Sequence, residues 1–234
     1  MLRRACHYFT TQEKLLWCAS VGAILLSFFL LEDTRYLTLT ASLIGVTSLL
    51  FNAKGNPMGQ ALTVVFSLMY GYISYACAYY GEMITYLGMT APMALLALIS
   101  WLRHPFRGNR AQVQVNRISR REHVFMWLLT AAVTAGFYFI LRALGTANLL
   151  PSTVSVTTSF LAVYLTFRRS PLYALGYAAN DVVLIVLWLL AARADRGYLS
   201  VVVCFAAFLA NDLYGFINWR RMEKMQTQAC QKSA

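Results

Sequence analysis

Residues 171–192 read PLYALGYAANDVVLIVLWLLAA, an apolar run whose only charge is Asp181 and whose flanks are Arg168 and Arg169 on one side and Arg193 on the other. About 20 apolar residues in helical form cross the ~30 Å of hydrocarbon in a bilayer, so this run predicts a transmembrane helix. Seven further runs of the same kind occupy residues 15–31, 36–51, 57–80, 83–102, 123–144, 151–167 and 197–219; the second and sixth of the eight are short and rich in Ser and Thr. The runs are continuously apolar, whereas barrel strands would alternate, so helices are the expected spanning form. The whole composition agrees: 59% of the 234 residues are hydrophobic and 12% charged, too few polar groups to cover a water-soluble surface. Disorder, collagen and coiled coil fall with the same numbers. Five scattered cysteines, Cys6, Cys18, Cys77, Cys204 and Cys230, form no CxxC pair and do not describe a disulfide scaffold. The expected fold class is an all-α integral membrane protein of about eight transmembrane helices.

A formal net charge of +11 could signal nucleic-acid binding, so the placement of the charges decides. With loops assigned alternately to two sides, one side holds Arg3, Arg4, Lys14, Lys54, six arginines from Arg103 to Arg121, Arg168, Arg169, Arg220, Arg221, Lys224 and Lys232. The other holds Arg35, Arg142, Arg193 and Arg196, mostly beside acids such as Glu32, Asp33 and Asp195. The positive-inside rule then places both termini in the cytoplasm, and the basic charge is a topology signal that leaves no need for a nucleic-acid partner. The first run follows basic residues but exceeds a usual signal-peptide core and ends in Leu31-Glu32-Asp33-Thr34-Arg35, without a small-x-small cleavage site. It is expected to be a retained helix. Trp101, Trp127 and Trp219 stand at run ends and read as interfacial anchors, and residues 103–121 read as a solvated linker.

The runs repeat. Asn52-Ala53-Lys54-Gly55-Asn56-Pro57 opens the third, and Phe167-Arg168-Arg169-Ser170-Pro171 opens the seventh; the helix after each closes in Trp plus base, at Trp101-Leu102-Arg103 and Trp219-Arg220-Arg221. Helices two to four thus resemble helices six to eight. One helix intervenes, so both triplets enter the membrane from the same face, as a parallel repeat requires. The expected organisation is residues 1–35 as tail and first helix, 36–102 as the first three-helix bundle, 103–147 as loop and linker helix, 148–222 as the second bundle and 223–234 as a cytoplasmic tail.

Asn52-Ala53-Lys54-Gly55-Asn56, Tyr70-Gly71-Tyr72-Ile73-Ser74-Tyr75 and the closing NDLYGFINWRRM of residues 211–222 resemble the PnuC-type nicotinamide riboside transporters over about residues 36–222. The resemblance implies a fold like the SWEET sugar transporters, in a bacterial plasma membrane. It further implies import of nicotinamide riboside, an NAD precursor, by facilitated diffusion, with trapping by a cytosolic kinase. It implies a homo-oligomer, a trimer by family likeness. The family spacing W-x-x-W-x-x-x-N after the basic turn reads Ala174, Tyr177 and Asp181 here, so thiamine or riboflavin stays open as the vitamin.

The residues themselves point to the same region. An ionised side chain at the bilayer centre costs at least ~2.5 kcal/mol, so an intramembrane acid is a functional candidate by default. Two are read: Asp181, near the middle of its run, and Asp212, nearer the cytoplasm; each follows an asparagine, Asn180 and Asn211. On a 3.6-residue helix Asp181 shares a face with Tyr173, Tyr177 and Trp188, a surface suited to a cationic heteroaromatic ring attached to a polyol. Alternatively, these polar residues join helices by hydrogen bonds. Gln60, Ser67, Gly71 and Ser74 line one side of the third helix, and Asn211, Tyr214 and Asn218 one side of the last; the Ser and Thr residues of 152–159 read as packing groups. His7, His104 and His123 fall in loops or at boundaries, and neither HExxH nor GxxxxGK[ST] occurs, so an enzyme, a resident metal or cofactor, and ATP-driven transport are not expected. Besides the vitamin, the expected partner is membrane lipid.

Overall fold

The structure is a computed structural model and describes residues 8–31, 35–76, 79–146 and 148–231. Arg3, Arg4, Cys6, His7, Glu32, Asp33, Cys77 and Lys232 lie outside the described residues. Eight long helices form among those described: α1 Thr11–Leu30, α2 Tyr36–Ala53, α3 Pro57–Ala76, α4 Tyr80–Arg103, α5 Arg120–Ala143, α6 Leu149–Phe167, α7 Tyr173–Ala191 and α8 Leu199–Gln231. Seven are long and apolar enough to cross a membrane; α3 is equally long but carries Gln60, Thr63, Ser67 and Ser74, all buried.

Helix ends follow from local chemistry. At α1, Thr10 and Glu13 form a reciprocal capping box, and Ser119 caps α5 by accepting from the Glu122 N–H. Pro57 begins α3, where its missing N–H costs nothing. Inside α4 the ladder slips into a π-helical stretch at Thr85–Thr90 just ahead of Pro92, which has no N–H to close the next turn.

Packing joins α2, α3, α4, α6, α7 and α8 into a closed ring in that order; α1 lies outside against α2 and α8, and α5 outside against α6. Gly176 lets α7 approach the α6 backbone so closely that a Cβ would stand 2.9 Å from Ala162 Cα. The turns before α3 and α7 share a conformation: Gly55 and Arg169, each two residues before its proline, both have left-handed backbone, at φ 66° and 58°.

Three expectations need correction. Trp101 and Trp219 are fully buried rather than interfacial: Trp101 Nε1 donates to Thr166 O at 3.0 Å and Trp219 Nε1 to Asn52 O at 2.8 Å, with the rings 5.4 Å apart. Each closing tryptophan thereby caps the turn of the other triplet. Trp127 is 56% exposed. Residues 103–121, solvated as expected, are more than a linker: Pro105–Phe106 pairs antiparallel with Asn109–Val113 as β1 and β2, Val113 N–H donates to Gly55 O at 2.9 Å, and Asn116 donates to Arg168 O and Arg169 O. Nor does the tail begin at residue 223, because α8 continues to Gln231 and docks the hairpin through Gln226 on Val113 O and Glu223 on Arg117. Thirty-three residues of helix span about 50 Å, well beyond the ~30 Å of hydrocarbon.

Candidate functional site

At the centre of the ring a cavity takes side chains from all six helices. Ser48, Leu49 and Asn52 come from α2, Thr63 and Phe66 from α3, Tyr86 and Thr90 from α4, Ser159 from α6, Tyr177, Asn180 and Asp181 from α7, and Phe205, Phe208 and Asp212 from α8. One wall is aromatic: Phe66 stands 5.9 Å from Tyr86 and 5.5 Å from Phe208, and Phe208 stands 5.6 Å from Phe205, centroid to centroid. The other wall is polar. Asn180 Oδ1 accepts from Ser155, Thr158 and Ser159 at 3.3, 2.9 and 2.9 Å, which fixes the amide and leaves its Nδ2 as a donor. Across the cavity Asn52 is held by Thr63 at 3.2 Å and by Gln60 Nε2 at 2.8 Å.

Asp181 and Asp212 are immediate neighbours in this enclosure, both 3% exposed, and Asp181 Oδ2 has no hydrogen-bond partner. Among the described residues the lining contains no Lys or Arg. Two adjacent acids in a buried cavity repel strongly unless a proton or a cation lies between them, and with one proton shared the pair keeps a single negative charge. The site therefore presents negative charge, an amide donor and π faces to whatever enters.

Of the residues singled out from the sequence, Tyr177, Asn180, Asp181 and Asp212 come together here. The others are placed elsewhere. Tyr173 sits below the cavity, 4.8 Å from the Trp219 ring. Trp188, fifteen positions further along α7, sits above it and donates to Tyr70 OH at 2.7 Å; one helix face extends over both, but about 22 Å separates its ends. Asn211 donates to Ser20 on α1 and to Ala207 O, a helix-joining role. Asn218 donates to Ala53 O at 2.8 Å. Gln60 supports Asn52 from behind, with its Oε1 unpartnered, and Ser67 donates to Thr63 O. Gly71 faces Leu87 of the π-helical stretch, where a Cβ would come within 2.5 Å of that side chain.

The sequence reading missed two buried acids. Glu82 lies at the edge of an apolar run, where it passes for a loop residue; it is 6% exposed at the start of α4. Glu13, 1% exposed, pairs with Lys54 at 3.1 Å and accepts from Tyr214 OH, tying α1 to the α2–α3 turn and to α8. Burial also raises the Tyr8 hydroxyl above its ordinary value at this end of the ring.

The sequence profile of the nicotinamide mononucleotide transporter family matches residues 35–221. The chain is similar to the nicotinamide riboside transporter PnuC of Neisseria mucosa, 26% identical over 220 residues that cover 92% of this chain and 83% of the relative. It is similar at 22% identity to the nicotinamide riboside transporter PnuC of Haemophilus influenzae, over 81% of each chain. Its fold matches the crystal structure of a vitamin B3 transporter PnuC with a TM-score of 0.81 at 23% identity, covering 93% of this chain and 94% of the other.

Proposed function

The chain belongs to the nicotinamide mononucleotide transporter family, a family of membrane transporters, and from that premise we propose that it imports nicotinamide riboside by facilitated diffusion. The observation that carries this reading is the central cavity, where Asp181 and Asp212 face an aromatic wall with no basic residue among the described lining. A pyridinium ring gains about 0.5–2 kcal/mol from each π face it stacks on, and the acids supply its counter-charge. Asn180, Asn52 and the hydroxyls of Thr90 and Ser159 suit the ribose. The same charge argues against the mononucleotide of the family's name, because a phosphate beside two acids would meet only repulsion. Both relatives named above are nicotinamide riboside transporters, which supports the choice over thiamine or riboflavin.

A fixed counter-charge already accounts for the acids, so no coupling ion is invoked. The substrate equilibrates across a bacterial plasma membrane and is retained by a cytosolic kinase. The hairpin end of the ring, with Lys54, Arg103, Arg168 and Arg220, faces the cytoplasm by the positive-inside rule. The protein acts as a homo-oligomer, a trimer on the family pattern.

Uptake into liposomes containing only this protein tests the reading. Labelled nicotinamide riboside should enter saturably, level off at the outside concentration and resist competition by nicotinamide mononucleotide, thiamine and riboflavin. Accumulation of unmodified substrate under an imposed proton or sodium gradient would contradict passive transport, and preferred uptake of another vitamin would contradict the substrate.

A further inference from the structure

Beyond the central cavity, toward the end of the ring away from the hairpin, lies a second small cavity lined by Tyr79, Glu82, Thr146, Ser152 and Trp188. The Glu82 carboxylate is more than nine-tenths buried, and its Oε2 has no hydrogen-bond partner; Thr146 Oγ1, also in the lining, has none either. A buried, unsatisfied carboxylate oxygen is costly unless a proton, a water or a ligand completes it. The flanking rings are aromatic, Trp188 and Tyr79 meeting edge to face at 5.1 Å.

This cavity is connected to the central one by hydroxyls. Ser152, Ser155 and Ser159 stand on one buried face of α6 at steps of three and four. Ser152 lines the second cavity and Ser159 the first, and between them Ser155 Oγ lies 3.4 Å from Glu82 Oε1 and 3.3 Å from Asn180 Oδ1. The direct route is blocked by an aromatic partition: Trp188 Nε1 donates to Tyr70 OH, and the Tyr70 ring stands 4.4 Å from Tyr86.

We propose that Glu82, beside the touching rings of Trp188 and Tyr79, is an outer subsite for the cationic ring of the substrate, which parts those rings and is held there before it passes the Trp188–Tyr70 partition and reaches Asp181 and Asp212. The subsite rests on the reading of the protein as a carrier of a pyridinium nucleoside. It gives the partition a function, since a cation held at its outer face must displace the Trp188 indole to move inward, while Ser155 offers polar contact on the way.

The test uses the full-length protein in detergent and in liposomes, with 1-methylnicotinamide, a pyridinium cation, as the probe of binding through tryptophan fluorescence. In Asp181→Asn/Asp212→Asn protein, where the central charge is removed, quenching by the probe should persist, and adding Glu82→Gln should weaken it about tenfold. In liposomes Glu82→Gln alone should raise the half-saturating concentration of nicotinamide riboside several-fold, with a smaller effect on its neutral reduced form. Glu82→Asp, which keeps the charge, should retain probe binding, and it separates a charge effect from a folding defect. Unchanged probe binding and uptake in Glu82→Gln would overturn the subsite while leaving the transport reading intact. Quenching that depends on Glu82 in a wild-type protein that moves no nicotinamide riboside would support the subsite and refute the transport reading. A fluorescence change driven by sodium instead of the probe, and lost in Glu82→Gln, would assign the site to a metal ion and overturn the proposal.

Discussion

The two three-helix bundles, α2–α4 and α6–α8, share a scaffold and differ in chemistry. With Pro57 set against Pro171, the left-handed Gly55 falls on Arg169, and the two capped carbonyls, Asn52 O and Thr166 O, coincide. With Trp101 set against Trp219, the closing indoles coincide as well. The same alignment places Ser67 opposite Asp181, Thr63 opposite Tyr177 and, seven residues before each closing tryptophan, Ala94 opposite Asp212. Both central acids thus belong to the second bundle, and their counterparts in the first are uncharged. The repeated features fix how the bundles close on each other; the unrepeated ones give the cavity its polarity, with negative charge on one side and the Asn52–Gln60 amide pair on the other.

Removing the shared elements should cost most and should cost both halves alike. Trp101→Ala and Trp219→Ala each delete a fully buried indole and its hydrogen bond, a loss of about 3–5 kcal/mol. Thermal unfolding in detergent should show two large decreases of similar size; a severe effect from one and a mild effect from the other would break the equivalence of the closures. Removing unshared elements should instead be lopsided. Tyr177→Ala should weaken nicotinamide riboside roughly 2- to 30-fold, the range of one cation–π contact, whereas Thr63→Ala, at the matching place, should leave affinity nearly unchanged. Equal losses would mean that the aromatic side of the second bundle is not where the ring binds. The turns offer the finest test. Gly55→Ala puts a Cβ at φ 66° within 3.1 Å of Met222 and should destabilise by about 1 kcal/mol, while Arg169→Gly relieves a strained backbone and should be neutral or mildly stabilising in the same melting assay.

The scaffold was legible in the sequence because lipid imposes it. Apolar runs of about 20 residues gave the eight helices, with most ends within a few positions, and the paired proline turns gave the repeat. Asp181 stood out as one charge in an apolar run. Glu82 did not, since an acid at a run boundary looks like a loop residue until α4 is seen to begin at Tyr80. Trp101 and Trp219 carried the signature of interfacial anchors, tryptophan beside arginine at a helix end; only the tertiary crossing of the two halves buries them. The hairpin was hidden by its six surrounding arginines, and its pairing depends on contacts with Gly55 and Gln226 that local sequence does not encode. Asn211 and Trp188 share their neighbours' helix faces but meet α1 and the outer partition, a matter of depth along the helix that face analysis does not report. For the same reason, a bulky group at Gly71 should act by displacing Leu87 rather than by plugging the cavity.

The central claim is that the second bundle's charge selects the substrate. Asp181→Asn preserves size and hydrogen-bonding shape while removing that charge, and Ser67→Ala makes the matching change in the first bundle. Affinities of both variants for nicotinamide riboside and for its neutral reduced form should show the cationic ligand losing roughly 1–3 kcal/mol more than the neutral one in Asp181→Asn, and neither ligand affected in Ser67→Ala. Equal losses for the two ligands in Asp181→Asn, or no loss at all, would contradict the account and leave Asp181 as a helix-packing residue.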